Sequence, residues 1–187
     1  MQFPTPQIVT STGELNDTDM VVVVAVHWHD TSASVDTVLD TFGNGFSTAT
    51  GMTRFNAAQS QIMWFKRVTR GIAIQVLFDQ PAVGVDVKWA AYRDIDPMTS
   101  IGGKGGSGTS ATADTGDLPV SGPVVLVASS ASRTADAEAG AGFTQRQKAN
   151  GGVLEDREVA EAGTVNATAT LNASDDWIIQ AVALRPR

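Results

Sequence analysis

The chain contains no cysteine, a single tyrosine and only two histidines. The first absence excludes disulfides and thiolate metal centres, and it leaves the redox compartment open. Helical periodicity is missing too: no stretch beyond about two turns keeps apolar residues at three- and four-residue spacing. The longest apolar run, Met20–Val26, falls far short of the roughly 20 residues a membrane helix needs. Basic charge is scarce, with 13 Lys and Arg against 20 Asp and Glu for a formal charge of −7. That balance excludes a surface built to wrap a nucleic-acid backbone and is ordinary for a soluble domain. The segment Met1–Gly13 is polar, carries Pro4 and Pro6, and lacks both a basic start and an apolar run. It is therefore not expected to act as a secretory signal.

What the chain has in abundance is strand. Met20–Trp28 is β-branched and nearly continuous, the pattern of a strand covered on both faces. Gln61–Val68 and Ile72–Phe78 follow, with Gly71 marking a reversal between them. In Val83–Arg93 the residues Val85, Val87, Trp89 and Ala91 alternate with Asp86 and Lys88. The second half offers Val124–Ala131, Gly152–Val159, Thr164–Leu171 and Trp177–Arg185. Gly43-Asn44-Gly45-Phe46-Ser47 is echoed by Gly140-Ala141-Gly142-Phe143-Thr144, each block following a hydrophobic strand. At 187 residues this is one ordinary domain. The expected fold is an all-β, antiparallel β-sandwich of jelly-roll type built from two related halves, each covering the other's apolar face. Residues 1–16 are expected to form a flexible arm and residues 17–187 the single sandwich domain, with halves 17–98 and 122–187. The Gly/Ser-rich stretch 99–121 reads as a crossover, because Gly102–Gly108 offers nothing to a core; Thr109–Thr115 is an alternative edge strand.

Beyond these patterns lies a resemblance. Asp19–Val26, Gly43-Asn44-Gly45-Phe46, Trp64, Tyr92-Arg93-Asp94-Ile95-Asp96-Pro97, Gly140–Arg146 and Trp177–Pro186 together are similar to a widespread bacterial and phage β-sandwich module. Members of that family open on a Gly-Asp-hydrophobic strand, carry a Gly-x-Gly-Phe/Trp-Thr block in each half and end in Ala-Leu/Phe-Arg-Pro. Here Ala183-Leu184-Arg185-Pro186 matches the ending, and Asn16-Asp17-Thr18-Asp19 replaces the usual opening. The resemblance spans Asp17 to Pro186. It implies a β-sandwich found in secreted multidomain proteins and in structural proteins of tailed phages, minor tail proteins included. It brings no catalytic residues.

Individual residues were weighed against plain structural roles. His27 and His29 share one side of a strand with Asp30 adjacent, a weak metal-site candidate; the competing role is a strand cap beside an inward Trp28. Asn16-Asp17-Thr18-Asp19 and Asp94-Ile95-Asp96 offer hard oxygens for calcium, but Asx turns use the same residues and no calcium-loop spacing is present. Lys104 within the glycine run lacks the strand, helix and residue order of a phosphate loop. Trp28, Trp89 and Trp177 fall in apolar registers and read as core. Trp64 is flanked by Met63 and Phe65, so one of the three is expected to point outward, which makes Trp64 a candidate interface anchor or sugar platform. Phe3, Pro4 and Pro6 are further partner-binding candidates in the arm. No catalytic residue, metal or cofactor is expected. The leading expectation is a non-enzymatic tailed-phage virion component, a capsid decoration (cement) protein. Its partners would be the major capsid protein or other virion proteins, and it would form a homo-oligomer, with a trimer suited to capsid threefold positions. The alternatives are a minor tail or fibre protein, or a carbohydrate-binding module with a glycan partner. Neither nucleic acid nor membrane is expected as a partner.

Overall fold

The computed structural model describes residues 7–13, 19–69 and 72–187. Those residues form sixteen strands and no helix. The first half contributes β1 (Gln7–Gly13), β2 (Met20–Trp28), β3 (Val35–Leu39), β4 (Ser47–Thr48), β5 (Thr53–Phe55), β6 (Gln59–Val68), β7 (Ile72–Phe78) and β8 (Asp86–Tyr92). The second contributes β9 (Ile95–Asp114), β10 (Leu118–Val120), β11 (Val124–Ser132), β12 (Ala137–Ala139), β13 (Thr144–Ala149), β14 (Gly152–Val159), β15 (Gly163–Val165) and β16 (Thr168–Pro186). Every ladder is antiparallel. The expected all-β antiparallel sandwich of two related halves is what forms.

The duplication is visible in topology as well as in sequence. The inner sheet of the first half runs β4-β6-β2-β8, and that of the second runs β13-β14-β11-β16. The registers correspond residue by residue. Val22 lies between Lys66 and Ala91, and Leu126 between Arg157 and Ala183. Ser47 pairs with Phe65 as Thr144 pairs with Asp156, which places the two glycine-phenylalanine blocks at equivalent corners. Even the lid over each aromatic is repeated: Lys66 Nζ sits 5.6 Å from the Phe46 ring and Arg157 Cζ 4.8 Å from the Phe143 ring.

Two sheets would suffice to bury one apolar face each; this chain builds four layers. An outer sheet, β1-β7-β3, packs on the first inner sheet through Val35, Val38, Ile74, Val76 and Phe78 against Val22, Val24, Val26, Trp28 and Trp64. In the second half β10 and β15, with β12 and the start of β16, cover β11 and the rest of β16 around Leu126, Ala128, Trp177 and Ile179. The two inner sheets then meet back to back through Val21, Val23, Ala25 and Met63 against Val127, Leu154, Val182 and Leu184. β2 and β11 are buried on both faces, which is why they read as continuous hydrophobic runs.

Two segments differ from expectation. Within the proposed arm 1–16, Gln7–Gly13 pairs along its whole length with β7; the other residues of that arm lie outside the described ones. The expected crossover 99–121 is mostly strand, because β9 zips along β16 from Ile95 to Asp114. Its glycines are there for close approach. A Cβ on Gly103 would stand 2.6 Å from the Ala49 carbonyl oxygen, and one on Gly106 would run into the Asp114 carbonyl. Glycine lets the edge of the second half slide beneath the first half's loops.

Candidate functional site

The densest polar chemistry lies where the inner sheets meet. The odd-numbered side of β2 is apolar from Val21 to Ala25 and then carries His27, which is 3% exposed. Gln61 and Asp86 flank it in register on β6 and β8. Gln59, Lys88 and, from the second half, Gln180 complete a buried polar seam. Lys88 and Asp86 form an ion pair, each less than a tenth exposed. Asn150 Nδ2, from the second half, donates to the other Asp86 oxygen at 3.1 Å. A buried pair of this kind costs desolvation and is kept for geometry more than for stability.

The seam also ties the halves together. Gln61 Nε2 donates to the Ser129 carbonyl at 2.7 Å, and Gln180 Nε2 donates to the Gly51 and Gln61 carbonyls at 2.8 and 3.1 Å. The Thr50 hydroxyl donates to Gln180 Oε1 at 2.8 Å. His27 Nε2 faces Gln59 Oε1 at 3.3 Å, while His27 Nδ1, Gln59 Nε2 and Gln61 Oε1 have no hydrogen-bond partner among the described residues. Burial, with the neighbouring His29 ring and Lys88, pushes the His27 pKa down to about 4.

Asp30 does not join this histidine in a metal site. Its Oδ1 accepts the Ser32 and Ala33 amides at 2.9 and 2.8 Å, and its Oδ2 accepts the Val83 amide at 2.9 Å. Burial works against ionisation, but these donors hold the carboxyl below its usual range. All its capacity goes to shaping the turn after β2. The rings of His27 and His29 lie edge to face at 4.8 Å, and His27 is committed to the seam. No cluster of three or more metal-binding side chains occurs among the described residues.

The other candidates resolve similarly. Asp19, at the end of the first acidic loop, binds Arg187 and Arg67 at 2.9 and 2.5 Å, which lowers its pKa to about 2. The rest of that loop, Asn16 to Thr18, lies outside the described residues, as do Phe3, Pro4 and Pro6. Asp94 takes a positive φ of 54° and accepts the Arg187 amide, so it serves as a turn. Lys104 sits in the β9–β16 ladder opposite Ala181, with no helix behind it. Trp64 is not an outward anchor: β6 is buried on both sides, with Trp64 in the first outer core, Met63 in the joint and Phe65 packed against the joint. Trp28 and Trp177 are core as expected, and Trp89 is half-buried against the same cluster as Trp28.

Position 155 was silent in sequence. It is the second-half counterpart of Trp64: Ala128 faces Glu155 as Val24 faces Trp64. The Glu155 carboxyl is buried beneath the second glycine block and accepts the Gly140 amide at 2.7 Å. Burial pushes its pKa up to about 7, against the pull of that amide and of Arg157. On the outside, a groove of about 620 Å³ runs between Arg93–Ile95, Pro123–Val125, Glu158–Ala160 and Pro186. A smaller one, about 370 Å³, lies beside the Asp40–Lys66 pair and the exposed Phe42. In the smaller groove Asp40 is paired with Lys66 and also accepts the Phe42 and Asn44 amides. Comparison with family models, with curated protein sequences and with solved structures returned no match.

Proposed function

We propose that this chain is a non-enzymatic structural component of a tailed-phage particle, acting as a capsid decoration protein that stabilises the shell through contacts with the major capsid protein or other virion proteins. The observation that carries the reading is mechanical: polar side chains buried between the inner sheets bolt two sandwiches into one block. The doubled glycine-phenylalanine corners and the Ala-Leu-Arg-Pro ending, with their resemblance to phage modules, point the same way. A decorating protein of this kind works by adding buried area across joints between capsomers, and a threefold homo-oligomer suits such positions.

A carbohydrate-binding role through the tryptophans is less favoured, because a sugar platform needs an exposed ring. Trp28, Trp64 and Trp177 are all at most 8% exposed and Trp89 is half-buried. Mass spectrometry and averaged electron micrographs of purified particles test the proposal. It predicts many copies per particle on the head surface. Absence from purified particles would end it, and density only on the tail would move the protein to the minor tail class.

A further inference from the structure

The seam between the inner sheets is asymmetric in a way that bears on its control. Ala131 is the second-half counterpart of His27, and Ile178 that of Asp86. The end of the joint built by Val21, Ile95 and Leu184 is apolar; at the other end, where the second half offers no ionisable counterpart, the seam depends on a neutral imidazole held in a closed space. We propose that this joint is acid-sensitive, and that protonation of His27 opens the polar end of the seam while the two outer sandwich cores stay packed. The inference does not depend on the particle reading and would hold for any role of the chain.

Three observations carry it. First, His27 has nowhere to place a second proton: Nε2 already faces Gln59 Oε1, and Nδ1 is enclosed without an acceptor. Second, the charges that face it do not welcome an imidazolium. From β8, Lys88 brings a positive charge, and the one carboxylate, Asp86, is already bonded to Lys88 and Asn150. From the end of β2 comes the His29 ring. β6 contributes the neutral amides of Gln59 and Gln61, and β11 the Ser129 carbonyl that Gln61 holds. Third, the ties nearest His27 that cross the joint are hydrogen bonds, Gln61 to Ser129 and Asn150 to Asp86, which water can replace once the seam parts.

The direction follows from linkage. In the closed seam the imidazole stays neutral down to about pH 4, and in an opened one it would titrate near the ordinary histidine value of 6.5. The opened form therefore binds more protons between those values and gains as pH falls. At pH 5 the opening equilibrium should be roughly 30-fold larger than at pH 8 if nothing else titrates differently.

The test joins two measurements on the whole chain. Imidazole NMR shifts, assigned with His29→Asn, report when His27 takes up its proton. Side-chain amide NMR signals of Gln61 and Gln180, whose bonds cross the joint, report whether the seam is closed, and hydrogen exchange of β7 reports the first outer sheet. The expected result is loss of protection of those side-chain amides that tracks His27 protonation while β7 remains protected. His27→Gln keeps a hydrogen-bonding side chain without the proton site, and it should abolish the acid-driven step. The proposal is overturned if His27→Gln opens with acid as the wild type does. If that variant does not fold, the wild type decides alone: protonation with the seam still protected, or opening while His27 is still neutral, sinks it.

Discussion

Glu155 shows how much one side chain can depend on its layer. Its position corresponds to Trp64 in the other half, yet it holds a carboxyl in a closed space with one amide donor. Burial raises its pKa from the ordinary glutamate value of 4.5 to about 7. A raised folded value means that the group's stabilising contribution is complete below pH 4.5 and is lost as pH climbs through 7. Taken alone, this contribution lowers denaturant midpoints across the window. Glu155→Gln, which stays neutral, should therefore make midpoints rise more steeply from pH 4.5 to 7 than they do in the wild type, and an unchanged pH profile in the variant would show that Glu155 is not the titrating group. His27 works in the opposite direction: its contribution is present above 6.5 and lost as pH drops toward 4. The two groups together set a stability optimum in the mildly acidic range. Nothing in the sequence marks Glu155, because the charged run Glu155-Asp156-Arg157-Glu158 looks like ordinary solvated surface until both faces of the first part of β14 are seen to be covered.

At the scale of elements, the test case is β9. Its glycine run carries no side chain for a core, so a reading by composition took it for a linker. The structure uses the missing side chains as clearance under Ala49 and Asp114. Gly106→Ala and Gly103→Ala should each cost about 1–3 kcal/mol, since a backbone carbonyl occupies the space a Cβ would need. Gly45→Ala and Gly163→Ala, with open space around them, should stay within about 0.5 kcal/mol. Equal effects at all four sites, read from urea denaturation, would refute the clearance argument. The strands that sequence did reveal were those with a strong pattern: the unbroken valines of β2, the alternation of β8 and the mirrored glycine-phenylalanine corners. Hidden from it was the number of layers. Asp86 and Lys88 occupy the polar face of β8 in sequence and face the joint in the structure, because alternation reports two environments without saying which of them is water. The same ambiguity made Trp64 look like a candidate for the outside.

At the scale of the whole molecule, the joint decides whether the halves behave as one body. It buries the apolar row of Val21, Val23 and Met63 against Val127, Leu154 and Val182, so either half alone would expose a hydrophobic sheet face to water. At neutral pH the chain should thus unfold in a single cooperative transition, with calorimetric and van't Hoff enthalpies in agreement. Two resolved transitions would mean that the polar bolts position the halves without coupling them. The doubling visible at both the sequence and the topology levels places this coupling where the repeats meet, and it is the unequal decoration of that contact that sets one half apart from the other.

One strand links these scales in a further respect. β16 runs from the second half's outer layer into its inner sheet, held by β9 along one edge and β11 along the other, and it ends next to the carboxyl terminus. Tension applied at that terminus acts parallel to the strand and loads its ladder rungs side by side, so that many must rupture together. A tether attached there would meet high resistance to extraction, whereas the short β4 and β15 would peel one rung at a time.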